Sequence, residues 1–183
     1  SCTYSMITMK KTCRIIAAVC AAFLLVCGLV LGLRASYPRP YSEVVRASGV
    51  PPALAYAIMK AESNFDETAV SRAGAVGVMQ LRPSTAEYIC RRRGVAFHAE
   101  KLLDGTYNAT VGCMYLAYLL ERFPDETSAI CAYNAGEGTV RSWLADKTYS
   151  PDGRTLAQIP YAETRAYAKK VCDFRKIYEI FYG

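Results

Sequence analysis

The sequence predicts a mainly α-helical protein: one compact helical domain preceded by a single apolar helix long enough to cross a membrane. Three observations predict it. Residues Ile15 to Leu33 read IIAAVCAAFLLVCGLVLGL, without a charged side chain. Further on, apolar residues recur at three- and four-residue steps, most plainly Tyr167, Val171, Phe174, Tyr178 and Phe181. Nowhere does two-residue alternation persist long enough to build a substantial sheet. The 183 residues, 52% hydrophobic and 21% charged, suit one folded domain and exclude a disordered tail, a collagen-like repeat and a multidomain assembly.

The apolar run comes first. As a helix rising about 1.5 Å per residue it spans roughly 28 Å, close to the thickness of a bilayer's hydrocarbon core. Lys10, Lys11 and Arg14 precede it and Arg34 follows. A cleaved signal peptide has a shorter apolar core and a small-x-small site where Arg34 stands, so the segment reads as an uncleaved signal anchor. Leu24-Leu25-Val26-Cys27 resembles a lipoprotein signal only faintly, because valine fits poorly before the cysteine. The expected organisation is a cytoplasmic segment over 1–14, a single-pass membrane anchor over 15–33, a linker over 34–40 and a domain over 41–183. The positive-inside tendency puts that domain on the extracytoplasmic side, or free if the segment is cleaved. Met9-Lys10-Lys11 reads as a natural start, with residues 1–8 an extension before it.

Setting the anchor apart changes the charge balance. The formal net charge is +6, but residues 37–183 hold 18 Lys/Arg against 16 Asp/Glu, a net of only +2. With no basic stripe left, a nucleic-acid partner loses its support, and Arg91-Arg92-Arg93 reads as a solvated helix end. Of the 8 cysteines, Cys90, Cys113, Cys131 and Cys172 lie in the domain. Their spacing suits no zinc site, and His98 is the one histidine, so no metal or cofactor is expected. The four can form two disulfides or serve as small buried apolar residues.

The domain's elements follow in order. Tyr37-Pro-Arg-Pro40 is a short stiff linker. Pro51 and Pro52 suit the first turn of a helix that continues in strong helix formers to Glu62, where Ser63-Asn64 weakens it. A glycine-punctuated stretch, Ser71 to Gln80, comes next. Ser84 and Glu87 have capping-box spacing and open a helix running toward Gly94. Tyr107 to Phe123 is a long helix, Thr127 to Tyr133 a shorter one ending near Gly136, and Thr139 to Leu144 a brief one. Pro151-Asp-Gly153 is a turn, and the periodic segment around Tyr167 to Phe181 closes the chain.

One carboxyl stands out within this frame. Leu54, Ile58 and Glu62 are spaced i, i+4, i+8 on one helix face, and Leu54 and Ile58 require that face to be buried. A carboxyl partly withdrawn from water holds its proton toward neutrality, as a general acid for glycosidic cleavage must. Spacing alone leaves open an ordinary solvated glutamate at a helix end. Asp66 and Glu67 follow the helix and read as exposed loop residues.

Four segments narrow the reading: Glu62-Ser63, then Ser71-Arg-Ala-Gly74 with Gly77-Val-Met-Gln80, then Ala132-Tyr-Asn-Ala-Gly136, and finally Ile159-Pro-Tyr-Ala-Glu-Thr-Arg165. In this order and at these separations they resemble the soluble lytic murein transglycosylase family of peptidoglycan-cleaving enzymes, over nearly all of 41–182. The resemblance implies a lysozyme-like α-helical domain whose cleft binds strands of alternating N-acetylglucosamine (GlcNAc) and N-acetylmuramic acid (MurNAc). It implies that Glu62 is the single catalytic acid/base, protonating the glycosidic oxygen and then taking the proton of the muramoyl C6 hydroxyl as that oxygen closes on C1. The product is a 1,6-anhydromuramoyl end, formed without water.

The resemblance further assigns substrate or cleft contacts to Ser71, Gln80, Met79, Tyr133 and Glu163. Ser63 and Asn134 complete the expected substrate-binding set, Ser63 either bonding Glu62 or merely ending the helix, and Asn134 holding the backbone of its own segment. Each also has a plain structural reading. Ser71 and Gln80 fit loop and turn chemistry, Met79 the core, Tyr133 a buried aromatic, Glu163 the favourable first turn of a helix, and Gly136 a positive φ at a helix end. Val78 and Glu137 depart from the family's usual leucine and proline. Asn108-Ala-Thr110 is formally a glycosylation sequon, while the resemblance makes Asn108 a structural position opening the long helix. The expected partners are peptidoglycan strands and, through the N-terminal helix, the membrane. Two alternatives stand beside this reading: hydrolysis as in goose-type lysozyme, and a non-catalytic, membrane-tethered glycan-binding or scaffold protein.

Overall fold

A computed structural model describes residues 2–182, with side chains from Arg14 onward. The chain forms two compact units, 1–38 and 39–183. The first is helix α1, Cys2–Ala35. Its stretch Arg14–Ala35 is the one helix among the described residues long and apolar enough to cross a membrane, and Phe23, Leu24 and Leu25 lie exposed along it. Because α1 continues to Ala35, the expected linker is shorter at its start. The start expected at Met9, with its preceding extension, falls outside the residues whose side chains are described.

The second unit is a bundle of helices: α2 (Ser42–Ala47), α3 (Pro52–Glu62), α4 (Pro83–Arg93), α5 (Gly105–Arg122), α6 (Glu126–Ala135), α7 (Glu137–Ala145) and α8 (Ala162–Tyr182). No strand forms among the described residues; only isolated antiparallel bridges join Val70 to Val76 and Val76 to Leu81. Helix α3 is the axis of the core. Its residues Leu54 to Met59 are all buried, and it packs chiefly on α8. Helix α6 fills the remaining space between α5, α7 and α8. At 25 cal/mol per Å² of apolar surface, a fully buried Leu or Ile such as Leu54 or Ile58 contributes about 2 kcal/mol, so α3 holds its place by packing more than by propensity.

Local chemistry sets the boundaries. Asp104 caps α5 by accepting the Tyr107 N–H at 2.8 Å, and Asp125 caps α6 by accepting that of Ser128 at 3.0 Å. Helix α4 departs from expectation. Ser84 lies inside it rather than capping it, because Pro83 takes the first position and Arg82 precedes it without a side-chain cap; proline has no N–H to satisfy there. Gly94 ends α4 at φ 68, and Gly136 separates α6 from α7 at φ 91. The brief helix expected from Thr139 begins two residues earlier, at Glu137. There the Glu137 carboxylate accepts the Tyr118 hydroxyl at 2.8 Å and the Arg122 Nε–H at 2.6 Å, tying α7 to α5.

The cysteine alternatives resolve toward small apolar residues. Cys90, Cys113 and Cys131 are buried with free thiols, and Cys172 is half-buried and also free.

Candidate active site

Glu62 is the last residue of α3. Immediately after it, Asn64 at φ 54 and Phe65 at φ 68 turn the chain away, and Lys60 Nζ donates to Asn64 Oδ1 at 2.9 Å. The carboxyl therefore sits at the end of a rigid, core-packed helix. It is half-buried. Tyr167, on α8, donates its hydroxyl to Glu62 Oε1 at 2.7 Å, and Lys170 Nζ donates to the Ala61 carbonyl at 2.8 Å. Burial pushes the Glu62 carboxyl up from 4.5 to about 7, although the Tyr167 hydrogen bond and the Lys170 charge both favour its ionised form. A group poised there is protonated or ionised with nearly equal ease at neutral pH. The Tyr167 and Tyr133 phenols are held well above their ordinary range by burial first and then by the Glu62 charge. Both remain donors.

The segment 77–80 is pinned from three sides. The Met79 N–H donates to Asn108 Oδ1 at 2.8 Å, the Tyr133 hydroxyl donates to the Met79 carbonyl at 2.9 Å, and the Ser63 hydroxyl donates to the Val78 carbonyl at 2.8 Å. Asn108 is fully buried; its Nδ2 also donates to the carbonyls of Val76 at 3.0 Å and Leu102 at 2.8 Å. Gly77 makes this approach possible, for a Cβ there meets Asn108 Nδ2 at 2.3 Å, and its φ is +76. The sequon at Asn108 is thus a buried crosslink between the loop and α5.

A cleft of about 490 Å³ opens over this floor. Six of the residues singled out in the sequence line it: Glu62, Ser71, Gln80, Tyr133, Asn134 and Glu163. Ser71 Oγ accepts the Ala75 N–H at 3.0 Å, holding its own loop. Gln80, at φ 47, donates Nε2 to the Gly77 and Ala69 carbonyls at 2.9 and 3.1 Å. Asn134 Oδ1 accepts the hydroxyl of buried Thr164 at 2.7 Å, fastening α6 to the first turn of α8 beside exposed Glu163.

Two residues do not line the cleft. Met79 is fully buried, its side chain packed where a Cβ on Gly112 of α5 meets the sulfur at 2.3 Å, so the cleft contact expected of it is corrected to a core position. Ser63 bonds the Val78 carbonyl rather than Glu62, because the chain has already turned. Asp66 and Glu67 are exposed, as expected of loop residues. Among the residues not singled out as site residues, three bear on the chemistry of the site. Tyr167 bonds the acid, while Tyr115, its ring tilted against that of Tyr133 with centroids 5.1 Å apart, and Arg82 line the cleft. The available signal for Tyr167 was its spacing: it follows Glu163 by four residues and Thr164 by three, on one face of α8. No group of three or more His, Cys, Asp or Glu side chains placed to hold a metal occurs among the described residues.

Comparison with known proteins supplies the family. Residues 41–155 match the family described as Transglycosylase SLT domain. The chain is 32% identical over 159 residues to the soluble lytic murein transglycosylase of Escherichia coli K12, covering 82% of this chain and 25% of that protein. It is 34% identical over 167 residues to membrane-bound lytic murein transglycosylase C of Actinobacillus pleuropneumoniae, covering 76% and 46%. Among solved structures, it resembles the 70 kDa soluble lytic transglycosylase of E. coli with a TM-score of 0.70 and 29% identity, over 80% of this chain and 25% of that one. An inactive mutant of the lytic transglycosylase Slt of Pseudomonas aeruginosa gives 0.68 and 32%, over 78% and 24%. The chain thus spans about a quarter of the length of these soluble relatives.

Proposed function

The chain belongs to the transglycosylase SLT domain family, and from that premise we propose that it is a peptidoglycan lytic transglycosylase cleaving the β-1,4 bond between MurNAc and GlcNAc. The observation that carries this is Glu62, half-buried in the cleft, hydrogen-bonded by Tyr167 and held near a pKa of about 7.

The protonated carboxyl gives its hydrogen to the glycosidic oxygen as the C1–O bond breaks. The resulting carboxylate then takes the proton of the muramoyl C6 hydroxyl while O6 bonds to C1, leaving a 1,6-anhydromuramoyl end and a regenerated acid. A group with a pKa near the working pH serves both halves of this cycle. Ordinary glycosidases divide the work between two carboxylates, one of them activating water or attacking the sugar. Here the second reactant is a hydroxyl of the same sugar, and its tethering replaces an activated water. Tyr167 keeps Glu62 Oε1 oriented through both steps and steadies the carboxylate. Ser71, Gln80 and Tyr133 bound the sugar site, Asn134 supports the segment that carries Tyr133, and Glu163 faces the developing positive charge at C1. Met79 and Ser63 act on the floor beneath.

The apolar stretch of α1 tethers this domain to the membrane as a single-pass anchor, with the domain on the extracytoplasmic side where the substrate lies. Its length and the cluster Lys10, Lys11 and Arg14 before it support that topology.

The test is clearing of purified cell walls by the full chain and by Glu62→Gln. The wild type lowers turbidity and Glu62→Gln does not; equal clearing by both removes Glu62 from the mechanism.

A further inference from the structure

We propose that Arg82 is the specificity residue of the cleft, reading a carboxylate carried by the muramoyl sugars of the strand; this rests on the proposed action on peptidoglycan. Three ionisable groups other than tyrosine line the cleft: Glu62, Glu163 and Arg82. Two are acids. Muramoyl residues bring more negative charge, either a free lactyl carboxylate or, where a peptide is attached, the carboxylates of that peptide. Among the described residues Arg82 is the one cation lining the cleft to receive it.

Its surroundings suit that task. Arg82 is exposed and has no ion-pair partner among the described residues. The base of the side chain, in contrast, is fixed. Leu81 is buried at 2% exposure and exchanges two backbone hydrogen bonds with Val76, each 3.0 Å. Pro83 follows, restricting Arg82 to the extended backbone it adopts, φ −73 and ψ 136, and the Arg82 carbonyl accepts the Ala86 N–H at 3.0 Å. Gln80 and Arg82 thus border the cleft on either side of a residue locked into the core. With the backbone fixed, only the side-chain rotamers remain to be ordered on binding, and the guanidinium matches a carboxylate with two parallel hydrogen bonds. Lysine in its place keeps the charge without the fork.

The experiment is equilibrium binding of the full chain in detergent, with Glu62→Gln so that strands persist. The ligands are peptide-bearing strands, strands stripped of peptide, and each after its carboxyl groups have been converted to neutral amides. Arg82→Gln weakens binding of the unmodified strands about ten-fold, Arg82→Lys about three-fold, and the amidated strands are affected less than two-fold. Loss confined to peptide-bearing strands assigns the contact to a peptide carboxylate, loss confined to stripped strands assigns it to the free lactyl carboxylate, and loss on both shows that Arg82 takes either one. With Arg82 intact, amidation alone weakens binding by the same factor, a comparison that needs no altered arginine. Equal loss on amidated and unmodified strands, or no loss on either, overturns the proposal. Failure of the wild-type chain to cleave the same strands reports separately that the activity reading has failed, while the amidation comparison still decides the role of Arg82.

Discussion

The Tyr167 hydroxyl lies 2.7 Å from Glu62 Oε1, joining residues 105 positions apart in the chain. Helix α8 packs along α3, so this bond forms wherever the core forms. The acid and its orienting phenol are set by the same packing that folds the domain.

Replacing that phenol separates positioning from chemistry. Tyr167→Phe removes a donor that favours the carboxylate, so the Glu62 pKa rises further. We expect kcat to fall roughly ten-fold, KM to stay nearly constant, and the alkaline limb of the pH–rate profile to move upward. A fall in rate with an unmoved alkaline limb refutes the positioning role.

The raised pKa has a consequence for stability. Glu62 titrates at about 4.5 when unfolded and about 7 when folded, so folding takes up a proton between these values and stability falls as pH rises through that window. The penalty at pH 8 is on the order of 2 kcal/mol, allowing for partial solvent access. Glu62→Gln carries no ionisable group there. Its Tm therefore exceeds the wild type's by several degrees at pH 8, roughly 5 °C, and the two converge near pH 4.5. Parallel curves across the whole range show that Glu62 is solvated.

Asn108 tests the floor of the cleft. Asn108→Ala leaves the buried Met79 N–H and the Leu102 carbonyl without their Asn108 partner and takes one of two donors from the Val76 carbonyl, and we expect a loss of about 3 kcal/mol in denaturant unfolding. Gly77→Ala acts on the same contact from the other side by forcing a methyl onto Asn108. The double variant should cost less than the sum of the two, because both disrupt one crosslink. Additive losses contradict a shared contact.

The fold class, the helical order and the place of Glu62 were readable from the sequence because each rests on local periodicity: Leu54 and Ile58 fix the buried face of α3, and Glu62 falls on it by counting. Tyr167 was visible only as one apolar position of α8, since tyrosine serves equally as core and as donor; its partner is decided by how α3 meets α8. Met79 shows the converse. A motif position shared by core and cleft cannot reveal which, and close approach to Gly112 settles it in the core. Ser84 and Glu87 had capping spacing, yet Pro83 supplied a stronger start. Asn108 showed a helix-opening position, not the hydrogen bonds to Val76 and Met79, some thirty residues back in the chain.

The central claim, that Glu62 recovers its proton from the sugar's own hydroxyl rather than from water, is tested most directly by digesting peptidoglycan in water enriched in heavy oxygen and weighing the first products. The account predicts anhydromuramoyl ends, one water lighter than reducing ends and free of label. Reducing ends carrying the heavy oxygen from the earliest time points would contradict it.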